Sequence, residues 1–93
     1  MENIGDDFKE HLSEYIELYI KEAINNSYKL ITKMRTFDEM VDEAIESKKI
    51  LVLLVDPDTG ATKKELQAMI DYFVDGEEYE KCSELKSILE KIE

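Results

Sequence analysis

The chain of 93 residues has no tryptophan, one proline, one histidine, one cysteine and three glycines. A lone Cys82 closes no internal disulfide, and beside a lone His11 it falls short of a zinc site. With so few chain breakers, and with Glu, Lys, Leu and Ile abundant, the composition favours helices over a β-sandwich or a disordered chain. The longest unbroken apolar run, Ile50 to Val55, is far shorter than the roughly 20 residues that span a bilayer. Met1 to Asp7 carries neither the basic region nor the apolar core of a signal peptide, so a cytoplasmic protein with a reduced thiol is expected.

Positive charge is also scarce. Twelve Lys and Arg face 23 Asp and Glu, giving a net charge of -11 and a pI of about 4.5. That balance opposes docking on phosphate backbones or anionic lipid, so neither direct nucleic-acid binding nor a membrane partner is expected. A chain of this length makes one domain, 1–93.

What is present is helical periodicity. Phe8, Leu12, Tyr15, Ile16, Tyr19, Ile20, Ala23, Ile24, Tyr28, Ile31 and Met34 recur at steps of three and four, predicting a first helix over 7–34. Acids at its start and Lys29, Lys33 and Arg35 at its end suit the helix dipole. Asn25-Asn26-Ser27 is its weak point and could split it.

Thr36-Phe37-Asp38-Glu39 has the form of a capping box, so a second helix starts there, with Phe37, Met40, Val41, Ala44 and Ile45 on one stripe. Periodicity alone does not say whether Ile50 to Val55 is a buried helix or a strand. A strand needs a neighbour, and no second strand-like run exists in the chain, so it would have to pair between subunits. A helix over 37–55 is therefore expected. Asp56-Pro57-Asp58-Thr59-Gly60 must then be a turn.

A second capping box, Thr62-Lys63-Lys64-Glu65, opens a third helix with Leu66, Met69, Ile70 and Phe73 on its stripe. Asp75-Gly76 is expected to end it through a left-handed glycine. A fourth helix carries Tyr79, Cys82, Leu85, Leu89 and Ile92 on one face. The short link makes the last two helices an antiparallel hairpin. The fold class is all-α, a small bundle of three or four helices ending in that hairpin over 63–93.

The run Tyr79-Glu80-Lys81-Cys82-Ser83-Glu84-Leu85-Lys86-Ser87-Ile88-Leu89-Glu90-Lys91-Ile92 resembles the UVR motif, the helical hairpin named after the repair proteins UvrB and UvrC. Tyr79 stands at the motif's aromatic position, Cys82 and Ser83 at its paired small residues, Leu85 at its Leu, and Leu89 and Ile92 at its last apolar positions. Lys86 and Ser87 replace its Arg-Asp pair. The resemblance implies a protein contact, since UVR hairpins present an apolar face to another hairpin or a partner, in repair subunits and protease adaptors.

The expected function is accordingly a small acidic protein-protein interaction module, adaptor-like or regulatory, binding a partner protein or itself. Its expected contact residues are Tyr79, Leu85, Lys86 and Leu89, with Leu53 and Leu54 as a second patch. Two alternatives stand beside it. The acidic set Asp71, Asp75, Glu77, Glu78, Glu80 and Glu84 could imitate nucleic acid in the basic cleft of an enzyme, as virus-encoded inhibitors do. The chain could also be a minor structural component of a larger assembly, with Ile50 to Val55 as its seam.

No catalytic residue, cofactor, metal or small-molecule substrate is expected. Asp56-Pro57-Asp58-Thr59 departs from the D-x-D-x-T nucleophile loop of haloacid-dehalogenase-type phosphatases, because Gly60 stands at the fifth position. Counted as a calcium loop from Asp56, it places Ala61 at six and Gln67 at twelve, where Gly and Glu are needed. His11, with Asp7 and Tyr15 one turn to either side, has no nucleophile in view. Cys82 is read as a core thiol.

Overall fold

The computed structural model describes residues 4–92, with side chains described from Leu12 to Ile92. Among the described residues there are four helices, α1 (Ile4–Ile31), α2 (Phe37–Ser47), α3 (Lys63–Asp75) and α4 (Tyr79–Ile92), and no strand beyond an isolated bridge between Asp56 and Gly60. The fold is all-α.

α1 runs unbroken through Asn25-Asn26-Ser27 because these side chains are engaged in ways that spare its backbone. Asn25 Nδ2 donates one turn back to the Lys21 carbonyl at 2.8 Å, while Asn26 and Ser27 turn to another part of the chain. Both predicted capping boxes form. The amide of Glu39 donates to Thr36 Oγ1 and that of Thr36 to Glu39 Oε1, and Thr62 with Glu65 repeats the pattern.

α2 stops at Ser47, not at Val55. Lys48 adopts a left-handed conformation (φ 56°), and the amides of Lys48 and Lys49 donate back to the carbonyls of Ile45 and Ala44, closing a Schellman motif. A helix continued through Ile50–Val55 would turn apolar side chains to every side, in a chain too small to cover them. Released from the helix, the segment forms neither helix nor strand and puts Val55 into the core. Its polar backbone is satisfied by α1: Asn26 Nδ2 donates to the Val52 carbonyl at 3.1 Å, and Ser27 Oγ accepts from the amides of Leu54 at 2.8 Å and Val55 at 3.4 Å. Two side chains thus stand in for the partner strand.

The same end geometry recurs at α1 and α3, with Lys33 (φ 63°) and Glu77 (φ 59°) in the left-handed position. Gly76 was expected to fill that role, but its φ is -85° and the reversal falls one residue later, at Glu77. The turn before α3 is held by Asp56, whose Oδ1 accepts from the amides of Asp58 and Thr59, and by Gly60 at φ +83°.

The core joins Ile24 and Tyr28 of α1 and Val55 to Leu66, Met69, Ile70 and Phe73 of α3 and Cys82 and Leu85 of α4. Tyr28 and Tyr72 each meet Phe73 edge to face at 5.5 Å. Lys81 Nζ lies 5.3 Å and 5.0 Å from the Tyr28 and Phe73 ring centres and pairs with Glu78 at 2.9 Å. Cys82 is buried, with Sγ 3.5 Å from the Ile70 carbonyl, as expected of a core thiol.

Candidate interaction surface

Among the described residues, the core contacts of α1 come from its C-terminal half. α1 has 28 residues and rises about 42 Å at 1.5 Å per residue, whereas the 13 and 14 residues of α3 and α4 span only about 20 Å each. The hairpin is too short to cover α1, and the molecule reaches 56 Å in its longest dimension.

The uncovered part is apolar. Leu12, Tyr15, Ile16, Leu18, Tyr19 and Ile20 are between 47% and 70% exposed, and every residue from 12 to 20 is exposed. On a helical projection Leu12, Tyr15, Ile16 and Tyr19 form one stripe, with Ile20 and Leu18 on its two flanks, while Glu14, Glu17 and Lys21 fall on the opposite side. The stripe continues into Ala23, which is buried. The core face of α1 is turned from this stripe, because Ile24 and Tyr28 project on the side of Glu17 and Lys21, so the bare stripe from Leu12 to Ile20 lies beside the covered face. A shallow recess bounded by Leu18, Ile20 and Tyr72, with Glu17 and Lys21 at its rim, marks where the bare half meets α3.

A second concavity, of about 210 Å³, lies between α1, α2 and the start of the irregular segment. Glu22, Asn26, Lys29, Arg35, Glu43 and Lys49 line it, and Arg35 is already paired with Glu43. Ile50, at its edge, is 78% exposed.

The expected contact residues do not form one patch. Leu85 has no exposed surface and is a centre of the core, which removes it as a contact for another chain; at its helix position it faces α3 and α1. Leu89 is half-buried against the same core, and Leu53 is half-buried. Tyr79 and Lys86 are exposed, two helical turns apart on one side of α4, and Leu54 is partly exposed. Asp71, Asp75, Glu77, Glu78, Glu80 and Glu84 are all exposed toward the end of α3 and the start of α4. The side chain of His11 lies outside the described residues. Asp56 is occupied as a turn acceptor.

Sequence reasoning finds the stripe of α1 but does not divide it into a covered part and a bare part. The signal that separates the halves is length, because a periodic helix twice as long as its neighbours must leave half of its stripe uncovered.

Two titrating groups are shifted by their surroundings. Burial, then hydrogen bonding to Glu84 and the charges of Glu84, Glu80 and Glu78, push the Tyr28 phenol above its ordinary 10.0. The capping hydrogen bonds of Thr36, with Arg35 nearby, hold the Glu39 carboxyl below its ordinary range. Among the described residues no group of His, Cys, Asp and Glu is arranged to hold a metal ion, and no helix is long and apolar enough to cross a membrane.

Compared with protein-family models, with curated proteins and with solved structures, the chain matches none.

Proposed function

We propose that this chain is a protein-protein interaction module, adaptor-like or regulatory, whose contact surface is the bare apolar face of α1 from Leu12 to Ile20. The observation that carries this reading is the exposure of six large apolar side chains within nine residues of a regular helix. Contiguous apolar surface beyond a few hundred Å² on a small protein marks a place that another molecule covers. The α3–α4 hairpin then acts chiefly as the body that anchors α1. Its UVR-like outer positions, Tyr79 and Lys86, supply a secondary contact, and Leu85 supports it from inside.

The test is capture of partners from a lysate of the source cells, with wild type, Ile16→Asp and Tyr79→Asp compared at low and high salt. A partner that survives several-hundred-millimolar salt and is lost with Ile16→Asp is the expected result, because apolar contacts are not screened. Captures indifferent to Ile16 would overturn the α1 assignment. A second reading, acidic imitation of nucleic acid, is favoured by the exposure of all six acids at the hairpin end. It requires instead that the captured protein be a nucleic-acid enzyme released by salt.

A further inference from the structure

The bare face of α1 has dimensions and symmetry that select its occupant. Resting on the interaction reading above, we propose that the occupant is the same face of a second copy of this chain, laid antiparallel about a twofold axis close to Ile16. Three observations lead there.

The first is size. Six large apolar side chains at roughly half exposure or more amount to several hundred Å², comparable with the roughly 800 Å² that each partner contributes to a stable interface. Ile50, 78% exposed beside Glu22 and Asn26, extends the apolar area one to two turns beyond Tyr19.

The second is pattern. Leu12, Ile16, Tyr19 and Ala23 follow at steps of four, three and four, the spacing of a helix-helix seam. From Ala23 onward α1 is taken up by its own chain, through Ile24 and Tyr28 in the core and through Asn26 and Ser27 on the irregular segment. Among the described residues of α1 the open stretch is Leu12 to Ile20, so two copies overlap there. In a parallel pair the two folded bodies, both carried on the second half of α1, would contend for the same space. In an antiparallel pair they sit at opposite ends, and the interface is isologous and closes at two copies.

The third is charge. The first half of α1 carries Glu14 and Glu17, and the sequence adds Asp6, Asp7 and Glu10 before them. At the other end of the helix the cations Lys29, Lys33, Arg35, Lys48 and Lys49 are offset by Glu22 and the acids of α2, Arg35 being paired with Glu43, so that end is close to neutral. Antiparallel pairing keeps the two acidic ends apart, each beside the partner's nearly neutral end, and opposes the two helix dipoles, whereas parallel pairing stacks acid on acid.

The experiment is sedimentation of the full chain across a wide concentration range, combined with directed crosslinking. Wild type should show a reversible monomer-dimer equilibrium. Ile16→Asp and Tyr19→Asp, both at exposed positions, should raise the dissociation constant about tenfold or more while leaving helical circular dichroism unchanged. In a Cys82→Ser background, Ile16→Cys should oxidise to a covalent dimer on its own, whereas Leu12→Cys should do so only when mixed with Tyr19→Cys. A wild-type chain that stays monomeric at every concentration overturns the proposal, and Leu12→Cys linking to itself as readily as Ile16→Cys overturns the antiparallel arrangement. A monomer that still captures a foreign partner through Ile16 overturns the dimer and leaves the interaction module standing. A monomer without any Ile16-dependent partner overturns both.

Discussion

The hydroxyl oxygen of Ser27 lies 2.8 Å from the backbone nitrogen of Leu54 and 3.4 Å from that of Val55, and it is shielded completely from solvent. A single small side chain on α1 thereby satisfies two amides of a segment that has no helix or strand of its own. It also fixes Val55 in the core and, with Asn26 on the Val52 carbonyl, closes the second half of the α1 stripe.

Ser27→Ala removes that acceptor without changing the volume much, and leaves two amides unpaired in a buried or half-buried setting. The expected loss is about 1–3 kcal/mol. For a chain of this size each kcal/mol corresponds to a fall in Tm of roughly 4–8 °C. Thermal unfolding measures the loss, and amide exchange locates it, with Leu54 and Val55 accelerating more than the amides of α3. An unchanged exchange rate at Leu54 would show that the segment is held by apolar packing alone.

The three left-handed residues that end α1, α2 and α3 are Lys33, Lys48 and Glu77, none of them glycine. A side chain in this conformation costs about 1 kcal/mol relative to glycine. Lys48 is exposed, so Lys48→Gly should stabilise the protein by up to about 1 kcal/mol. Ser47→Gly, one residue earlier and inside α2, should destabilise by a similar amount. Thermal melts of the pair decide it, and a Lys48→Gly variant less stable than wild type would contradict the capping geometry.

The helix starts were legible because a capping box is local. Thr36 with Glu39 and Thr62 with Glu65 need only each other, and both form as the sequence indicates. The helix ends were less so. Nothing in Ser47-Lys48-Lys49 announces a left-handed residue, and the partner of Ile50–Val55 is a pair of side chains more than twenty positions earlier, Asn26 and Ser27, which local periodicity cannot couple to it. The interaction surface was legible as a stripe and illegible as a surface. Leu12 and Ile24 look alike in sequence, and the reach of α3 and α4, together with the side of α1 on which they pack, decides that one is bare and the other buried.

Leu85 and Tyr79, both expected from the sequence as contact residues on α4, should respond differently to truncation. Leu85 is wholly buried, so Leu85→Ala should cost about 2–5 kcal/mol, and Leu85→Asp should unfold the chain by burying an unpaired charge. Tyr79, 61% exposed, and Lys86 should each tolerate Ala within about 0.5 kcal/mol. Urea unfolding of the variants measures this directly. A Tyr79→Ala loss as large as that of Leu85→Ala would place Tyr79 in the core.

Tyr28 gives the fold an alkaline limit. Its phenol is buried and hydrogen-bonded to Glu84, with Glu80 and Glu78 adding negative charge, and all of these raise its pKa above the 10.0 of an exposed tyrosine. The neutral phenol is the form that the folded state prefers. The resulting stabilisation is complete below the unfolded value of 10.0 and is lost as pH rises through the higher folded value. Above that point the phenolate would stand beside the carboxylates of Glu84, Glu80 and Glu78, like charges that oppose its ionisation. Stability measured from neutral to strongly alkaline pH should therefore fall past pH 10.0, and Tyr28→Phe should flatten that fall while sacrificing the hydrogen bond to Glu84 at neutral pH. Subtracting the phenolate absorbance titration of Tyr28→Phe from that of wild type isolates the Tyr28 step. A step at or below 10.0 would mean that solvent reaches the hydroxyl and that the Lys81-capped cluster of Tyr28 and Phe73 is open at that edge.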